Sequence, residues 1–281
     1  MKKKRIFVFG GTGFIGQEII NKIPKEKYNV FSFGKKKFNL LKKNKKQFKN
    51  DDRVIFISAL APCKNIEILI KNIKMINNFL NILQKSKIAH FTYISSDAVY
   101  KDSYNRITES SCAEPSSLHG LMHLSREIII KNFLKKTPYA IVRPTLIYGL
   151  KDPHNGYGPN KFIRSCKSNT DLKVFGNGEE IRDHVHVEDV ANLVSKISIS
   201  KKTGIYNAVS ANEVSFFKIS NFIRKKFKSN IKIIKIKRIG KMPHNGIRIF
   251  NNKKIKEMFP KIKFNPWEIG ITKTIQEYKK K

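Results

Sequence analysis

This chain of 281 residues has a formal net charge of +36, with 57 Lys and Arg residues against 21 Asp and Glu residues. Hydrophobic residues make up 40% of it and aromatic residues 11%, which excludes a disordered basic tail and is typical of a folded protein with a sizeable core. Its three cysteines are too few for a disulfide framework and lack metal-site spacing, so we expect a reducing compartment and a cytoplasmic location. No apolar run reaches the roughly 18 residues that a spanning helix needs, which predicts that the chain has no membrane partner.

The positive charge suggests nucleic acid or another anionic surface as a partner. However, the lysines are spread along nearly the whole chain, and the richness in Ile and Asn indicates an AT-biased coding sequence. Arginine, which phosphate recognition favours where bidentate geometry matters, is scarce. RNA binding therefore rests on charge alone, because basic aromatic RNA motifs are absent and the Phe and Tyr residues fall at core-like positions.

Strands alternate with helices along the first half of the chain. Predicted strands cover residues 5–9, 30–33, 54–57, 91–94 and 139–142. One predicted helix ends at Pro24, and two more cover 66–83 and 118–135. The Lys- and Asn-rich stretch 35–50 is predicted to lie on the surface. The alternation predicts a parallel sheet with helices on both faces.

The composition changes after Arg143 and Pro144, and residues 149–182 are rich in Gly, Pro and Asn. Beyond them we predict helices at 189–197, 215–227 and from Pro266 to Tyr278, with strands at 204–208 and 231–236. This change predicts a first domain over 1–150 and a second, smaller lobe over 151–281 that is interleaved with the first.

Three glycines between the first predicted strand and helix form a GxxGxxG pattern: Gly10, Gly13 and Gly16. A tight turn with close backbone approach lets amide groups and the positive end of a helix hold a pyrophosphate. An ordinary glycine-rich turn is the alternative, but the strand and helix around these glycines favour a dinucleotide site. The residues that we assign to this site are Gly10, Thr12, Gly13, Phe14, Ile15 and Gly16.

The end of the second predicted strand bears on which dinucleotide binds. An acidic residue there would hold the adenosine ribose, but the chain has Gly34 followed by Lys35 and two further lysines. Lys35 at this position would suit a 2′-phosphate, so the cofactor is predicted to be NAD(P) with a slight preference for NADP. Solvated lysines in a Lys-rich chain are the alternative.

Further motifs follow in a fixed order: SSDAVY at 95–100, RPTLIYG at 143–149 and RDHVHVEDV at 182–190. With the glycine turn, they make nearly the whole chain resemble the extended short-chain dehydrogenase/reductase family, also called the NAD-dependent epimerase/dehydratase family. The resemblance implies a Rossmann-type, doubly wound α/β fold with an NAD(P)-binding domain and a smaller C-terminal substrate lobe. It also implies a nucleotide-sugar substrate and a homodimer formed through the long helices 66–83 and 118–135.

The resemblance places several more residues in a site. Ala59, Leu60 and Ala61 match the loop beside the cofactor, and Ser96 matches the catalytic Ser or Thr of the family, with Asp97 next to it. Arg182 and Arg248 are expected to face the substrate's phosphates, as a guanidinium fork suits that task, and Asn160 falls where the family contacts the substrate phosphate. For Arg182, Arg248 and Asn160 a surface ion pair is the alternative.

The chain departs from the family at its catalytic pair, Tyr-x-x-x-Lys, in which Tyr is the acid/base and Lys lowers the Tyr pKa and binds the nicotinamide ribose. Here the matching residues are His119 and His123. In one interpretation His119 replaces the Tyr, since imidazole has an ordinary pKa near ~6.5, and His123 donates to the ribose. In a second the pair binds a metal, although it lacks the internal Glu of a zinc hydrolase. In a third, catalysis is lost and a dinucleotide-binding scaffold remains.

The leading hypothesis is an NAD(P)-dependent oxidoreductase, epimerase or reductase that acts on a nucleotide-linked sugar by hydride transfer. His119 and Ser96 are predicted to flank the reacting carbon, with Asp97 as an auxiliary acid. Ala98 stands where the dehydratase branch has Glu, which argues against 4,6-dehydration.

Overall fold

A parallel sheet is the centre of the first half of the chain. The computed structural model describes residues 3–84, 86–228 and 230–280. Its elements up to Pro144 are β1 (Lys4–Phe9), α1 (Phe14–Lys22), β2 (Tyr28–Phe33), β3 (Arg53–Phe56), α2 (Ile66–Leu83), β4 (His90–Ile94), α3 (Leu118–Phe133) and β5 (Tyr139–Pro144). A short 3₁₀ turn, Asp97–Val99, follows β4.

The remaining elements are shorter on average. They are β6 (Leu146–Tyr148), α4 (Pro159–Lys167), β7 (Leu172–Phe175), β8 (Ile181–His186), α5 (Val187–Ser200), β9 (Gly204–Ala208), β10 (Glu213–Ser215), α6 (Phe216–Phe227), β11 (Ile233–Ile236), β12 (Ile247–Arg248), α7 (Lys253–Met258) and α8 (Trp267–Lys279). Within the described ranges, none of the helices combines the length and the apolar content that a membrane span requires.

Six parallel strands form one sheet in the order β2-β1-β3-β4-β5-β9, and helices lie in every connection along the chain except the one from β2 to β3. This architecture confirms the predicted α/β class with a Rossmann-type parallel sheet. Because all carboxyl ends of parallel strands lie at one edge, the loops after β1, β2, β3 and β4 share that edge.

The chain divides into two compact units. The first contains residues 1–101, 111–144 and 190–208, and the second contains 102–110, 145–189 and 209–281. The sixth strand of the parallel sheet, β9, therefore comes from a segment that follows a long stretch of the second unit.

Phenylalanines fill much of the core of the first unit. Phe9 packs on Phe79 with ring centroids 4.5 Å apart, and Phe56 packs on Phe79 at 4.9 Å. The stretch 35–50 contributes to this core, so its predicted surface position is wrong for its apolar residues. Its buried side chains are Phe38, Leu40 and Phe48. They are spaced by lysines and asparagines that stay in water, so average composition hid their burial.

The second unit is built around β8, which pairs with β10, β12 and β6. A separate parallel pair joins β7 and β11. Its core consists mainly of residues from α4, α6, α8 and these strands, with Tyr157 packed on Phe216 at a centroid distance of 4.3 Å. The segment after Pro144 thus contains more regular structure than the Gly- and Pro-rich composition indicates.

Candidate active site

The glycine turn between β1 and α1 has a backbone that excludes side chains. Gly10 has a φ of +91°, which favours glycine, and its carbonyl accepts a hydrogen bond from the Gly13 amide at 3.0 Å. A Cβ on Gly16 would lie 2.2 Å from the Gly10 oxygen and 2.6 Å from the Gly11 Cα. The first turn of α1 therefore lies directly against the loop, as a pyrophosphate cradle requires.

The N-terminus of α1 has no side-chain cap and no acidic residue in its first turn. Gly13 is the N-cap residue, followed by Phe14 and Ile15. Amides at an uncapped helix start carry a partial positive charge that attracts an anion. The residues of this turn therefore fit the diphosphate of a dinucleotide. This geometry supports the cofactor site that the family resemblance implies.

Two more loops lie at the carboxyl ends of β2 and β3, the strands on either side of β1. After β2, a Cβ on Gly34 would lie 2.3 Å from the Thr12 hydroxyl, and Lys35 begins an exposed turn beside it. After β3, the Asn72 side chain accepts from the Leu60 amide and donates to the Leu60 carbonyl, both at 2.9 Å. Asn72 thereby holds the loop that contains Ala59 and Ala61.

Ser96 and Asp97 lie in the loop after β4, close to the start of α3. A Cβ on Gly120 would lie 2.0 Å from the Ala98 carbonyl oxygen, so the absence of a side chain lets α3 touch this loop. Ser96 Oγ accepts from the Ala98 amide at 3.1 Å and lies 3.4 Å from the Asp97 carboxylate, to which it donates. Ser117 caps α3 by accepting from the Gly120 amide at 3.1 Å.

His119 and His123 lie one turn apart on α3, with ring centroids 4.8 Å apart and rings nearly perpendicular. The Cys63 amide donates to His119 Nδ1 at 3.4 Å, and His123 Nδ1 lies 2.8 Å from the Tyr93 hydroxyl. Burial lowers the pKa of His123 well below its ordinary value, with further lowering from His119 and Arg126. His123 is therefore a neutral imidazole near pH 7.

Tyr93, which contacts His123, and Arg126, one turn further along α3, were missed by the sequence analysis. Arg126 is fully buried and donates to the Ser58 carbonyl at 2.9 Å and to the Asn72 carbonyl at 2.8 Å. An arginine within a helix has the ordinary pattern of a solvated residue, so the sequence carried no signal for its burial.

A buried ion pair fixes α3 against the sheet. Arg143 donates to Glu127 through Nε at 2.9 Å and through a terminal nitrogen at 2.5 Å, and Ser95 Oγ donates to the same carboxylate at 2.6 Å. Both charged side chains are almost fully buried. Glu127 follows the histidines on the same helix, so the Arg143–Glu127 ion pair sets the position of α3 at the site.

Arginines also meet in the second unit. Arg182 on β8 and Arg248 on β12 are paired in register and are almost fully buried. Arg182 donates to Glu180 at 2.6 Å and to the Pro243 carbonyl at 2.7 Å, and Arg238 also contacts Glu180. The sequence analysis named Arg182 and Arg248 as candidate site residues but missed Arg238.

Arg248 has its own acidic partner in the same unit. It donates to Asp102 at 3.0 Å, and His244 Nδ1 lies 2.5 Å from the same carboxylate oxygen. Burial lowers the pKa of His244, and the Arg248 charge lowers it further. Arg182, Arg238 and Arg248 thus form ion pairs with Glu180 and Asp102.

Asn160 is buried at the start of α4. Its side-chain carbonyl accepts from the Gly149 amide at 3.3 Å, and its amide donates to Asp152 at 2.7 Å. These hydrogen bonds tie α4 to the preceding loop. The structure thus gives Asn160 a structural role within the second unit.

The family model for the NAD-dependent epimerase/dehydratase family matches residues 6–208, from β1 to the end of β9. The chain belongs to that family. A relative within it, the UDP-N-acetyl-alpha-D-glucosaminuronate decarboxylase of Bacillus cytotoxicus, is 28% identical over 324 residues, covering 99% of this chain and 98% of the relative.

Solved structures of family members share the fold. The UDP-glucuronic acid 4-epimerase of Bacillus cereus, in complex with UDP-glucuronic acid and NAD, has a TM-score of 0.82 at 16% identity, covering 98% of this chain and 99% of that one. A GDP-L-fucose synthetase of Naegleria fowleri bound to NADP has a TM-score of 0.82 at 17% identity, covering 100% and 94%. The TM-scores show that this chain has the fold of these two structures.

Proposed function

We propose that this chain is an NAD(P)-dependent oxidoreductase, of epimerase or reductase type, that acts on a nucleotide-linked sugar. The observation that carries the proposal is the cradle at Gly10, Gly13 and Gly16, where a side chain on Gly16 would overlap the Gly10 carbonyl. The family relatives are named as nucleotide-sugar enzymes, and solved members hold NAD or NADP. These relatives favour an enzyme over a non-catalytic scaffold.

The first unit would hold the dinucleotide, and a nucleotide-binding domain over 1–150 stays a prediction. The amides of Gly13, Phe14, Ile15 and Gly16 would meet the pyrophosphate, while the Ala59–Leu60–Ala61 loop, held by Asn72, would line the opposite side. When bound, the nicotinamide supplies a hydride acceptor or donor. His123 would donate to the nicotinamide ribose.

Proton movement would fall to His119, with Ser96 and Asp97 beside it. An imidazole can hold or release a proton at neutral pH, which suits a sugar hydroxyl that becomes a carbonyl. Ser96 can donate to the same oxygen, and the Asp97 carboxylate is within reach of the Ser96 hydroxyl. Ser96 and Asp97 lie in the loop after β4 and His119 lies in the first turn of α3, and Gly120 lets the two come into contact.

The second unit would hold the nucleotide diphosphate of the substrate, and a substrate lobe over 151–281 stays a prediction. Arg182 and Arg248 present guanidinium groups from adjacent strands, and such forks suit phosphate oxygens. Asn160 would support this lobe through its hydrogen bonds with Asp152 and Gly149. It would bind a phosphate only after giving up one of these hydrogen bonds.

Three finer features complete the proposal. Lys35 and the absence of an acid after β2 favour NADP slightly. Exposed apolar residues on α2 and α3 favour a homodimer through these helices, and they include Ile66, Ile70, Leu121 and Ile128. The free cysteines Cys63, Cys112 and Cys166 suit a reducing compartment such as the cytoplasm.

The test combines binding with turnover. Calorimetry and thermal-shift measurements with NAD, NADP and a panel of UDP-, GDP- and dTDP-linked sugars identify the cofactor and the nucleotide. On the substrate so found, His119→Phe is expected to lower kcat by about 10²–10⁴ while dinucleotide affinity is kept. His154→Phe, at an exposed loop position, is the control. Absence of NAD and NADP binding rejects the proposal, and binding without turnover on any sugar favours a scaffold.

A further inference from the structure

Arg126 is a buried cation whose described partners are neutral. Its hydrogen bonds go to the carbonyls of Ser58 and Asn72 and to the Asn72 side-chain oxygen. Burial lowers the pKa of Arg126, but a guanidinium stays charged in proteins. A permanent positive charge thus lies on α3 one turn after His123, and within the described part of the chain its hydrogen bonds go to neutral oxygens only.

Hydrogen-bond direction follows from the chemistry of the groups. Among the described residues, the Tyr93 hydroxyl has His123 Nδ1 as its side-chain contact, at 2.8 Å. Burial raises the pKa of Tyr93 to about 12, so the phenol keeps its proton. A buried O–H group needs an acceptor, so the hydroxyl directs that proton to His123 Nδ1.

The tautomer of His123 follows from this arrangement. A neutral imidazole has one protonated nitrogen, and the nitrogen that accepts a hydrogen bond is the unprotonated one. If Nδ1 accepts from Tyr93, the ring proton is on Nε2. The two ring nitrogens point in widely different directions, so the Nε2–H group points away from Tyr93.

We propose that Tyr93 is a positioning residue that fixes His123 in the Nε2–H tautomer and so makes it a neutral donor to the dinucleotide ribose. Only the naming of the dinucleotide as acceptor rests on the proposed function. The family's catalytic Lys combines a charge and a donor in one side chain. In this chain the two are on separate residues: His123 supplies the donor, and the charge of the buried Arg126 favours the neutral form of that imidazole.

The direct test is the protonation of His123 in the unmodified chain. Long-range ¹H–¹⁵N spectra of the full-length protein labelled at histidine separate protonated from unprotonated ring nitrogens. His123→Gln assigns the signal among the seven histidines, and contacts between the ring protons of His123 and Tyr93 assign it independently. We expect protonated Nε2 and unprotonated Nδ1. Protonated Nδ1, or a doubly protonated ring at pH 7, would overturn the proposal.

The second test removes the connecting hydroxyl. Tyr93→Phe is expected to give a mixture of both tautomers and to weaken dinucleotide binding by up to about tenfold, the effect of one hydrogen bond. Tyr206→Phe is the matched control, because that phenol is also buried but donates to the Thr203 carbonyl. A single Nε2–H tautomer that persists in Tyr93→Phe would show that Tyr93 does not set it.

The two proposals fail in different ways. Should His123 show the expected tautomer while neither NAD nor NADP binds, the proposed function is rejected and the hydrogen-bond chain stands. Should a dinucleotide bind while His123 carries its proton on Nδ1, the positioning role is rejected and the proposed function stands.

Discussion

Arg182 and Arg248 lie directly opposite each other on the parallel strands β8 and β12, so their side chains leave the same face of a small sheet. Both guanidinium groups form ion pairs, Arg182 with Glu180 and Arg248 with Asp102. Two neighbouring buried cations repel each other, and an anion received between them would reduce that repulsion. The proposed phosphate site of the second unit depends on this relationship.

Substitution of one arginine tests this role. Arg248→Lys keeps the charge and loses the planar fork, so we expect the affinity for UDP or GDP sugars to fall about tenfold, with dinucleotide affinity unchanged. Calorimetry measures both affinities. Arg106→Lys is the control, since Arg106 forms a half-exposed ion pair with Glu213. Equal sugar-nucleotide affinity in both variants would contradict the assignment.

The glycine turn allows folding and binding to be separated. A Cβ on Gly13 would lie 3.3 Å from the Gly10 oxygen, a tight contact that small shifts relieve, whereas one on Gly16 would overlap it. We therefore expect Gly13→Ala to keep the Tm and lose at least about tenfold in dinucleotide affinity, since the methyl group enters the cradle. Gly16→Ala should lower the Tm as well. Unchanged affinity in Gly13→Ala would rule out this loop as the pyrophosphate site.

Gly270 in α8 lies against Tyr148 with no room for a side chain. A Cβ there would lie 2.1 Å from the Tyr148 hydroxyl, which also donates to the Trp267 carbonyl at 3.3 Å. Alanine favours helices by about 1 kcal/mol over glycine, yet overpacking costs about 1–3 kcal/mol, so we expect Gly270→Ala to lower the free energy of unfolding. Denaturant titration measures it, with Gly156→Ala as control because no atom lies within 4 Å of its Cβ position. A Gly270→Ala variant at least as stable as this control would show that Tyr148 can move freely.

His90 predicts how stability depends on pH. Burial lowers the pKa of His90 to about 4, and its Nε2 donates to the Lys202 carbonyl at 2.8 Å. The unfolded chain binds a proton near pH 6.5 and the folded chain does not, so stability is lost as the pH falls from about 6.5 towards 4. By pH 5 this one histidine accounts for about 2 kcal/mol.

Thermal melts of His90→Gln from pH 7 to pH 5 check this dependence. Glutamine can donate to the same carbonyl but does not titrate, so the variant should lose less stability between these pH values than the unmodified chain. His154→Gln, at an exposed position, should behave as the unmodified chain does. A pH dependence that is identical in all three proteins would contradict the prediction.

The local parts of the fold were predictable because local chemistry determines them. Helix 66–83 begins and ends where predicted, with Asn65 accepting from the Ile68 amide at 2.9 Å as its cap. Strand 204–208 also matches its prediction. The glycine pattern correctly predicted a tight turn between β1 and α1, because only glycine permits such close backbone approach.

Other features depend on contacts between residues far apart in the chain. Nothing near Arg126 in the sequence indicates that its guanidinium meets the Asn72 carbonyl, 54 positions away. The register that pairs Arg182 with Arg248 likewise arises from tertiary packing. Phe38 and Phe48 are in a stretch whose lysines dominate any average over a window, so their burial was missed.

The position of β9 in the parallel sheet has a consequence for biosynthesis. A nascent chain that has just completed β5 presents the backbone of Tyr139–Pro144 as an open edge, and the strand that covers it, Gly204–Ala208, has not yet been translated. Open edges recruit other strands, and non-local pairing is slow to form. A fragment that stops after Pro144 would carry this open edge permanently, so we expect it to aggregate. In the full chain, the ribosome must pass Ala208 before β9 can pair with β5.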